Sequence, residues 1–505
     1  MAKRAIMIGI DGCHRDTLYR LIDERQVPFF DWMTDNGARV KNAVTMFPST
    51  TASCCATLYT GSWYRSHGLL NNEWVDRFAD PPRGRSYIEC LYEALLSFDK
   101  KLFGLPTILL PDRNEGGQIN NDLCPDHPTI YEEMTAAGKI SYTFFHYIGK
   151  GATVWARPAR TDMLRYGMVE QYHKPYQMFD KMMATRAIRL MRKRPADLLA
   201  IYYGGNDGHS HRHGVPGQES YLRDFIDKEL TRLKTALEAM FPQDELYWSV
   251  CADHGQSNLD KEKHLDRCMW IEDFFPQLRA AGFEKMDRGL SRNDLGGLDV
   301  IGTLGHGAGA GFYIKNRKTG DWKTPPDFAS DIIPTLNAFM KASAGLAPFE
   351  DYKFKGYLDF LLTRTKFDEP YRVYVNKPPY DAAGELVPLE EYFKGGDPAY
   401  VKPVERLRGI DSPKGPDIVL LLDYCEKRFN INTVEGFHPG QHGSLCPDDS
   451  YVPMLFAGPG VIRGELPEAF TINWSPTVAS MLGVKMPRAD GAPLPIFDNG
   501  KGGKG

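Results

Sequence analysis

Seven side chains spread along most of the chain, Asp11, Thr51, Asp207, His211, Asp253, His254 and His442, stand where a strand is expected to end or a helix to begin. Three carboxylates, three imidazoles and a hydroxyl have no inexpensive structural use together. They suit two neighbouring divalent cations that activate an alcohol and hold a phosphoryl group. Thr51 follows Phe47-Pro48-Ser49-Thr50 and opens an apolar helix that should end near Thr60-Gly61, so it is placed like an N-cap. A hydroxyl there lies in the positive field of the helix N-terminus, and a bound cation would lower its pKa enough to make it a nucleophile. Alone, the pattern is an ordinary Ser/Thr cap; the other six residues turn the reading toward chemistry.

The remaining candidates differ in strength. Asp253-His254 directly follows a buried strand, where a carboxylate and an imidazole need partners that a metal supplies. Asp207 and His211 could be a turn carboxylate and a surface imidazole, and His209 and His213 crowd the same segment. His438 competes with His442, and His306 lies in a Gly-rich stretch, 302–311, that reads as a substrate contact or as plain surface loop.

Such residues need a scaffold that gathers them. Buried-strand signals at 5–10, 198–203, 246–251, 418–422 and 453–457 read as parallel strands. Between them lie helical patterns, clearest over 220–241, where Leu222, Phe225, Ile226, Leu230, Leu233 and Leu237 form one stripe. Met178, Met182, Met183 and Met191 have helical spacing too and read as core filler. The alternation predicts an α/β fold, a doubly wound, mostly parallel sheet with helices on both faces, whose ligands gather beyond the carboxyl ends of the strands. Residues 1–274 and 415–498 are expected to form this core, 275–414 an inserted cap that shapes the substrate pocket, and 499–505 a disordered tail.

Composition narrows the class. The chain has 505 residues, 42% hydrophobic and 25% charged, with a net charge of -4, which fits a globular protein and gives no support for dedicated nucleic-acid binding. The run Arg192-Lys193-Arg194 reads as a solvated helix end. Nine cysteines without a CxxC pair fit reduced thiols, and no apolar run approaches the roughly 20 residues that span a bilayer. With Met1 to Arg4 running straight into the first strand, a cytoplasmic location is expected.

The motifs, taken in order, resemble the alkaline phosphatase superfamily, most closely its type I phosphodiesterase and nucleotide pyrophosphatase branch. The resemblance rests on Ile10-Asp11-Gly12, Thr51 with Thr60-Gly61, Ser66-His67-Gly68-Leu69-Leu70-Asn71-Asn72, Asp207 with His211 and Gly214, Asp253-His254-Gly255, Gly440-Gln441-His442-Gly443, and Ser475-Pro476-Thr477 with Leu482-Gly483 and Asp490-Gly491. It implies one cation held by Asp11, Asp253 and His254 with Thr51, and a second held by Asp207, His211 and His442. The donor set suits two Zn2+ ions and tolerates Mn2+. Asn72 matches the family's amide that donates to a non-bridging phosphate oxygen.

Sulfatases of this superfamily carry a modified cysteine where Thr51 stands; Cys54 and Cys55 come too late and read as buried helix residues. No arginine occurs from 44 to 64, so a singly charged diester suits the site better than a monoester dianion. The expected activity is hydrolysis of a phosphodiester or pyrophosphate through a phosphothreonine on Thr51. The alternatives are a phosphonoacetate hydrolase-like enzyme, with Lys150 as a loose candidate for gripping a carboxylate, a phosphomonoesterase, or a non-catalytic metal-stabilised protein. Nucleotides, choline or glycerol phosphodiesters and phosphonates remain open as substrates.

Overall fold

The computed structural model describes residues 1–87, 117–144, 147–156, 175–288, 295–304, 307–432 and 437–497. His306, the tail 499–505 and residues 88–116 lie outside them.

The core is a nine-stranded sheet in the order Tyr451–Val452, Gly37–Val44, Met454–Ala457, Glu245–Ala252, Lys3–Ile10, Leu198–Tyr203, Ser141–Phe144 and Val154–Ala156, with Gly464–Phe470 also paired to Gly37–Val44. Its centre is parallel. Ile10 sits opposite Tyr203 on one side and Ala252 on the other, so three adjacent strands end in step. Side chains alternate across this sheet. Trp248 meets Phe29 and Trp32 of the helix Pro28–Asp35, whereas a Cβ at Gly9 would meet both Tyr202 and Tyr59 of the helix Thr51–Thr60. Trp248 is level with Ile6 and Tyr202 with Gly9, an odd number of residues apart, so the two helices cover opposite faces.

Two strand readings are corrected. The segment Met454–Ala457 belongs to the core but runs antiparallel to both neighbours. Ile418–Leu422 is not in the core sheet; it is the central strand of a second, seven-stranded sheet, antiparallel to Gly309–Ile314 and Leu358–Thr363. Both are unbroken apolar runs because both have two covered faces, and burial of both faces does not require parallel pairing. In the second sheet Leu361 and Leu420 face a core built on Phe274, Phe312 and Phe339. Their neighbours Phe360, Leu362, Val419 and Leu421 face Met46, Phe47, Cys54 and Leu70, beside Thr51. The insert therefore packs directly on the segment that leads into the helix Thr51–Thr60.

The stripe over 220–241 is helical, but its first part is a π-turn, Leu222–Ile226, before the α-helix Asp227–Met240. The methionine helix is Pro175–Lys193; Met183 and Met191 are buried as expected, while Met178 is exposed. The cysteines are not all reduced. Cys425 and Cys446, 21 positions apart, form a disulfide that no short-spacing motif announces; Cys54 and Cys55 are buried thiols. No helix among the described residues is long and apolar enough to cross a membrane.

A buried ion pair ties the insert to the core-side hairpin Glu73–Asp76 and Arg83–Ser86. Arg77 donates to both oxygens of Asp417 at 3.0 and 3.2 Å and also to the Gly415 carbonyl. Asp417 in turn accepts from the Ile314 N–H. Asp417→Ala would strand a buried guanidinium. We expect it to lower unfolding stability by about 3 to 5 kcal/mol, and a denaturant titration against the parent, in which an unchanged midpoint would count against the pair, checks this.

Candidate functional site

The step where the three central strands end carries the site. One residue past Ile10 and Ala252 come Asp11 and Asp253, side by side, and past Tyr203 the chain turns into the helix Gly205–His213. On that helix Asp207 and His211 are four residues apart and so share a face, with Oδ2 and Nε2 3.1 Å apart. His442 follows the short strand Gly440–Gln441, which pairs with Ser257–Asn258 just after His254. Gly440 is required there: a Cβ would stand 2.4 Å from the Ser210 carbonyl oxygen.

The side chains fall into two groups, Asp11, Asp253 and His254 in one and Asp207, His211 and His442 in the other. Within each group one ligand atom per residue lies within 4.8 Å of the others. His254 Nε2 is 3.4 Å from Asp11 and 3.5 Å from Asp253. The groups adjoin, since the rings of His254 and His442 stack with centroids 3.8 Å apart. Thr51 is at their edge, its Oγ1 3.2 Å from His254 Nε2. It is the first helical residue; Thr50, with extended backbone, takes the cap position expected for Thr51.

The three imidazoles share one orientation. Nδ1 of His211 meets the Gly440 carbonyl at 2.7 Å, that of His442 the Ser49 carbonyl at 2.7 Å, and that of His254 the Gly255 carbonyl at 2.9 Å. A carbonyl only accepts, so each Nδ1 carries the proton and each Nε2 keeps its lone pair for the site. The carboxylates are similarly braced. Asp253 accepts from the Gly12 N–H and the Tyr202 hydroxyl, and Asp207 accepts from Gln256 Nε2, itself held by Gln218.

Electrostatically the pocket is strained. Burial raises the Asp11 carboxyl well above the usual range, and the charges of Asp253 and Asp207 push the same way. Burial also raises Asp253, against the pull of His254 and the Gly12 N–H. Burial would raise Asp207 as well, but His211, His442 and His254 together hold it low, while Asp207 raises His211 despite that ring's own burial. Asp11 Oδ1 is buried without a hydrogen-bond partner. In one group an orphaned carboxylate oxygen, a second acid and an imidazole lone pair, and in the other a carboxylate and two imidazole lone pairs, are donor sets a divalent cation fits.

Asn72 is buried beside the helix Thr51–Thr60, its Oδ1 accepting the Ala52 N–H at 2.9 Å. That bond fixes which end of the amide is oxygen, and it uses one of the first-turn N–H groups of the helix Thr51–Thr60. Of the open candidates, His438 lies near His211, ring centroids 6.2 Å apart. Lys150 pairs with Glu132 at 3.6 Å. The aromatic residues Tyr352, Phe354 and Tyr357 pack on one another within the insert. Sequence reasoning missed Gln218, Gln256, Tyr202 and Ser49, because uncharged braces of this kind have no motif; only the position of Gln256 two residues after His254 hinted at a role.

The sequence model of the type I phosphodiesterase / nucleotide pyrophosphatase family matches residues 5–332. Human ectonucleotide pyrophosphatase/phosphodiesterase family member 7 is 20% identical over 263 residues, 51% of this chain and 49% of that protein. Human family member 5 is 22% identical over 275 residues, 54% and 48% of the two. The chain thus spans about half the length of the curated relatives it matches. Among solved structures, murine ectonucleotide pyrophosphatase / phosphodiesterase 5 has the same fold with a TM-score of 0.57 at 16% identity, covering 96% of both chains. An inactive threonine-to-alanine variant of that murine protein, in complex with AMP, gives a TM-score of 0.56 at 16% identity over 96% of each chain. An alkaline phosphatase, PafA, gives 0.62 at 14% identity over 98% of this chain and 99% of its own. The matched segment runs from the first core strand into the insert and includes every candidate ligand from Asp11 to His254; this chain belongs to the type I phosphodiesterase / nucleotide pyrophosphatase family.

Proposed function

We propose that the protein hydrolyses phosphodiester or pyrophosphate bonds in a small substrate, with Thr51 as nucleophile. Asp11, Asp253 and His254, with Thr51, would hold one divalent cation, and Asp207, His211 and His442 the other, with Zn2+ preferred and Mn2+ accepted. The observation that carries this reading is the common orientation of the three imidazoles, whose Nδ1 protons all go to main-chain carbonyls and whose Nε2 atoms meet the carboxylates next to a hydroxyl. When bound, such cations lower the pKa of a nearby hydroxyl, neutralise phosphoryl oxygens and stabilise a leaving oxygen.

The residues then divide the work. Thr51 Oγ1, having lost its proton, attacks phosphorus in line with the leaving oxygen. The phosphorus–oxygen bond to the leaving group breaks and a phosphothreonine forms. Asn72, oriented by Ala52, donates its amide N–H to a non-bridging oxygen, which is stronger where charge develops. Water then attacks the phosphothreonine from the opposite side, restoring the Thr51 hydroxyl and releasing a phosphomonoester. An amide donor matches a single negative charge better than a dianion. Arg406, which reaches the same region from the insert, donates to the Met46 and Ser444 carbonyls and to Ser450. The insert, taken with its strand Ile418–Leu422, is proposed to shape the substrate pocket, and the AMP held by the murine relative makes a nucleotide the first substrate to try. The engaged Lys150 gives no support to the phosphonoacetate alternative.

For location, the Cys425–Cys446 bond favours an oxidising compartment, against the cytoplasmic expectation.

Three outcomes are expected. The metal-loaded protein turns over bis-p-nitrophenyl phosphate faster than p-nitrophenyl phosphate, and the reverse order in a steady-state assay would reject the diesterase reading. Thr51→Ala keeps its bound metal but loses turnover by on the order of a thousandfold or more; a variant of parental activity would remove Thr51 from the mechanism. Chelation abolishes activity and Zn2+ or Mn2+ restores it, with His442→Ala binding less metal per chain in elemental analysis.

A further inference from the structure

The residues on either side of Asn72 have no part in the proposed chemistry, yet both are buried, polar and bonded to the same residue of the second sheet. Asn71 accepts the Asn72 N–H through Oδ1 at 2.8 Å and donates from Nδ2 to the Leu304 carbonyl at 2.5 Å. Glu73 accepts the Leu304 N–H at 3.2 Å and pairs with Arg288 at 3.3 Å. Leu304 is the last residue of the strand Val300–Leu304, so its donor and its acceptor are both gripped by side chains that bracket Asn72. The chain leaving this strand also meets the metal side of the site. Gly307 packs so closely on His442 that a Cβ would lie 2.2 Å from its carbonyl oxygen, and the Gly307 carbonyl accepts from Ile431.

A buried carboxylate and a buried amide are costly places to anchor a strand, where apolar side chains would serve for packing alone. Both are used here to fix three consecutive residues, the middle one of which is bonded to the start of the nucleophile helix at Ala52. We propose that Asn71, Glu73 and Arg288 are positioning residues that transmit the placement of the second sheet to the Asn72 amide, and so set how well that amide meets the developing charge on a phosphoryl oxygen. The proposal rests on the diesterase reading for its kinetic consequence, but not for the mechanical link between Leu304 and Ala52.

The test uses the full-length, metal-loaded protein carrying Asn71→Ala or Glu73→Ala, each alone and combined with Asn72→Ala, with Asn71→Ser and Glu73→Gln as milder replacements should the alanine variants fold poorly. Two readouts are taken: kcat and KM on bis-p-nitrophenyl phosphate, and amide hydrogen exchange of the peptide containing Ala52. A positioning role lowers kcat about 10- to 100-fold with KM changed less than about threefold, and causes little further loss once Asn72 is already alanine. Glu73→Gln, which keeps an acceptor for Leu304, recovers most of kcat. Exchange at Ala52 quickens in the single variants. Losses that multiply with that of Asn72→Ala, or exchange at Ala52 equal to the parent's, would overturn the proposal. A parent that cleaves no phosphoryl ester at all would instead reject the diesterase reading, and exchange at Ala52 would still decide the link.

Discussion

Three carboxylates, Asp11, Asp207 and Asp253, are brought together in a buried pocket, and most of what surrounds them answers the repulsion this creates. The parallel register forces it. Because Ile10, Tyr203 and Ala252 end level with one another, whatever follows them is crowded onto one step of the sheet. Burial raises Asp11 and Asp253, while Asp207 is held low by the imidazoles around it. Hydrogen bonds from Gly12, Tyr202 and Gln256 spread part of the charge. What they leave, including the orphaned Asp11 Oδ1, is a demand for positive charge that side chains alone do not meet. The imidazoles are oriented to leave room for it, with protons turned outward to carbonyls and lone pairs inward.

Much of this was legible in the chain itself. Asp11, Asp253 and His254 were readable because each follows an unmistakable buried strand, and Asp207 with His211 because four-residue spacing on a helix aligns two side chains. His442 was chosen over His438 on its Gly-x-His-Gly setting, and it is the one that stacks on His254. The errors share a cause. Continuous apolar runs report how many faces of a strand are covered, not the direction of its neighbours, so the parallel pairing expected for Met454–Ala457 and Ile418–Leu422 is antiparallel in both, and Ile418–Leu422 lies in the second sheet. Cys425 and Cys446 pair across 21 positions, a contact that no short-spacing motif encodes. The braces Gln218 and Ser49 were invisible for the same reason: a neutral polar residue acquires meaning only from what the fold places against it.

The insert is more than an appendage to this arrangement. One face of its sheet closes over a core of its own, and the other over Met46, Phe47 and Leu70, so the walls of the segment leading to Thr51 are supplied by both parts of the chain. The Arg77–Asp417 pair and the Leu304 contacts fasten the same junction with polar bonds. The two sheets therefore meet around Thr51 through surfaces that cannot shift independently.

The order in which the two ligand groups are completed follows the direction of synthesis. Asp11, Asp253 and His254 are all present once the first half of the chain has been made, whereas the second group waits for His442, after the whole insert. Domains fold as units during synthesis, N-terminal parts first. On the ribosome the first group of donors is therefore complete well before the second, whose last member emerges only after the final strand of the insert and the turn carrying His442.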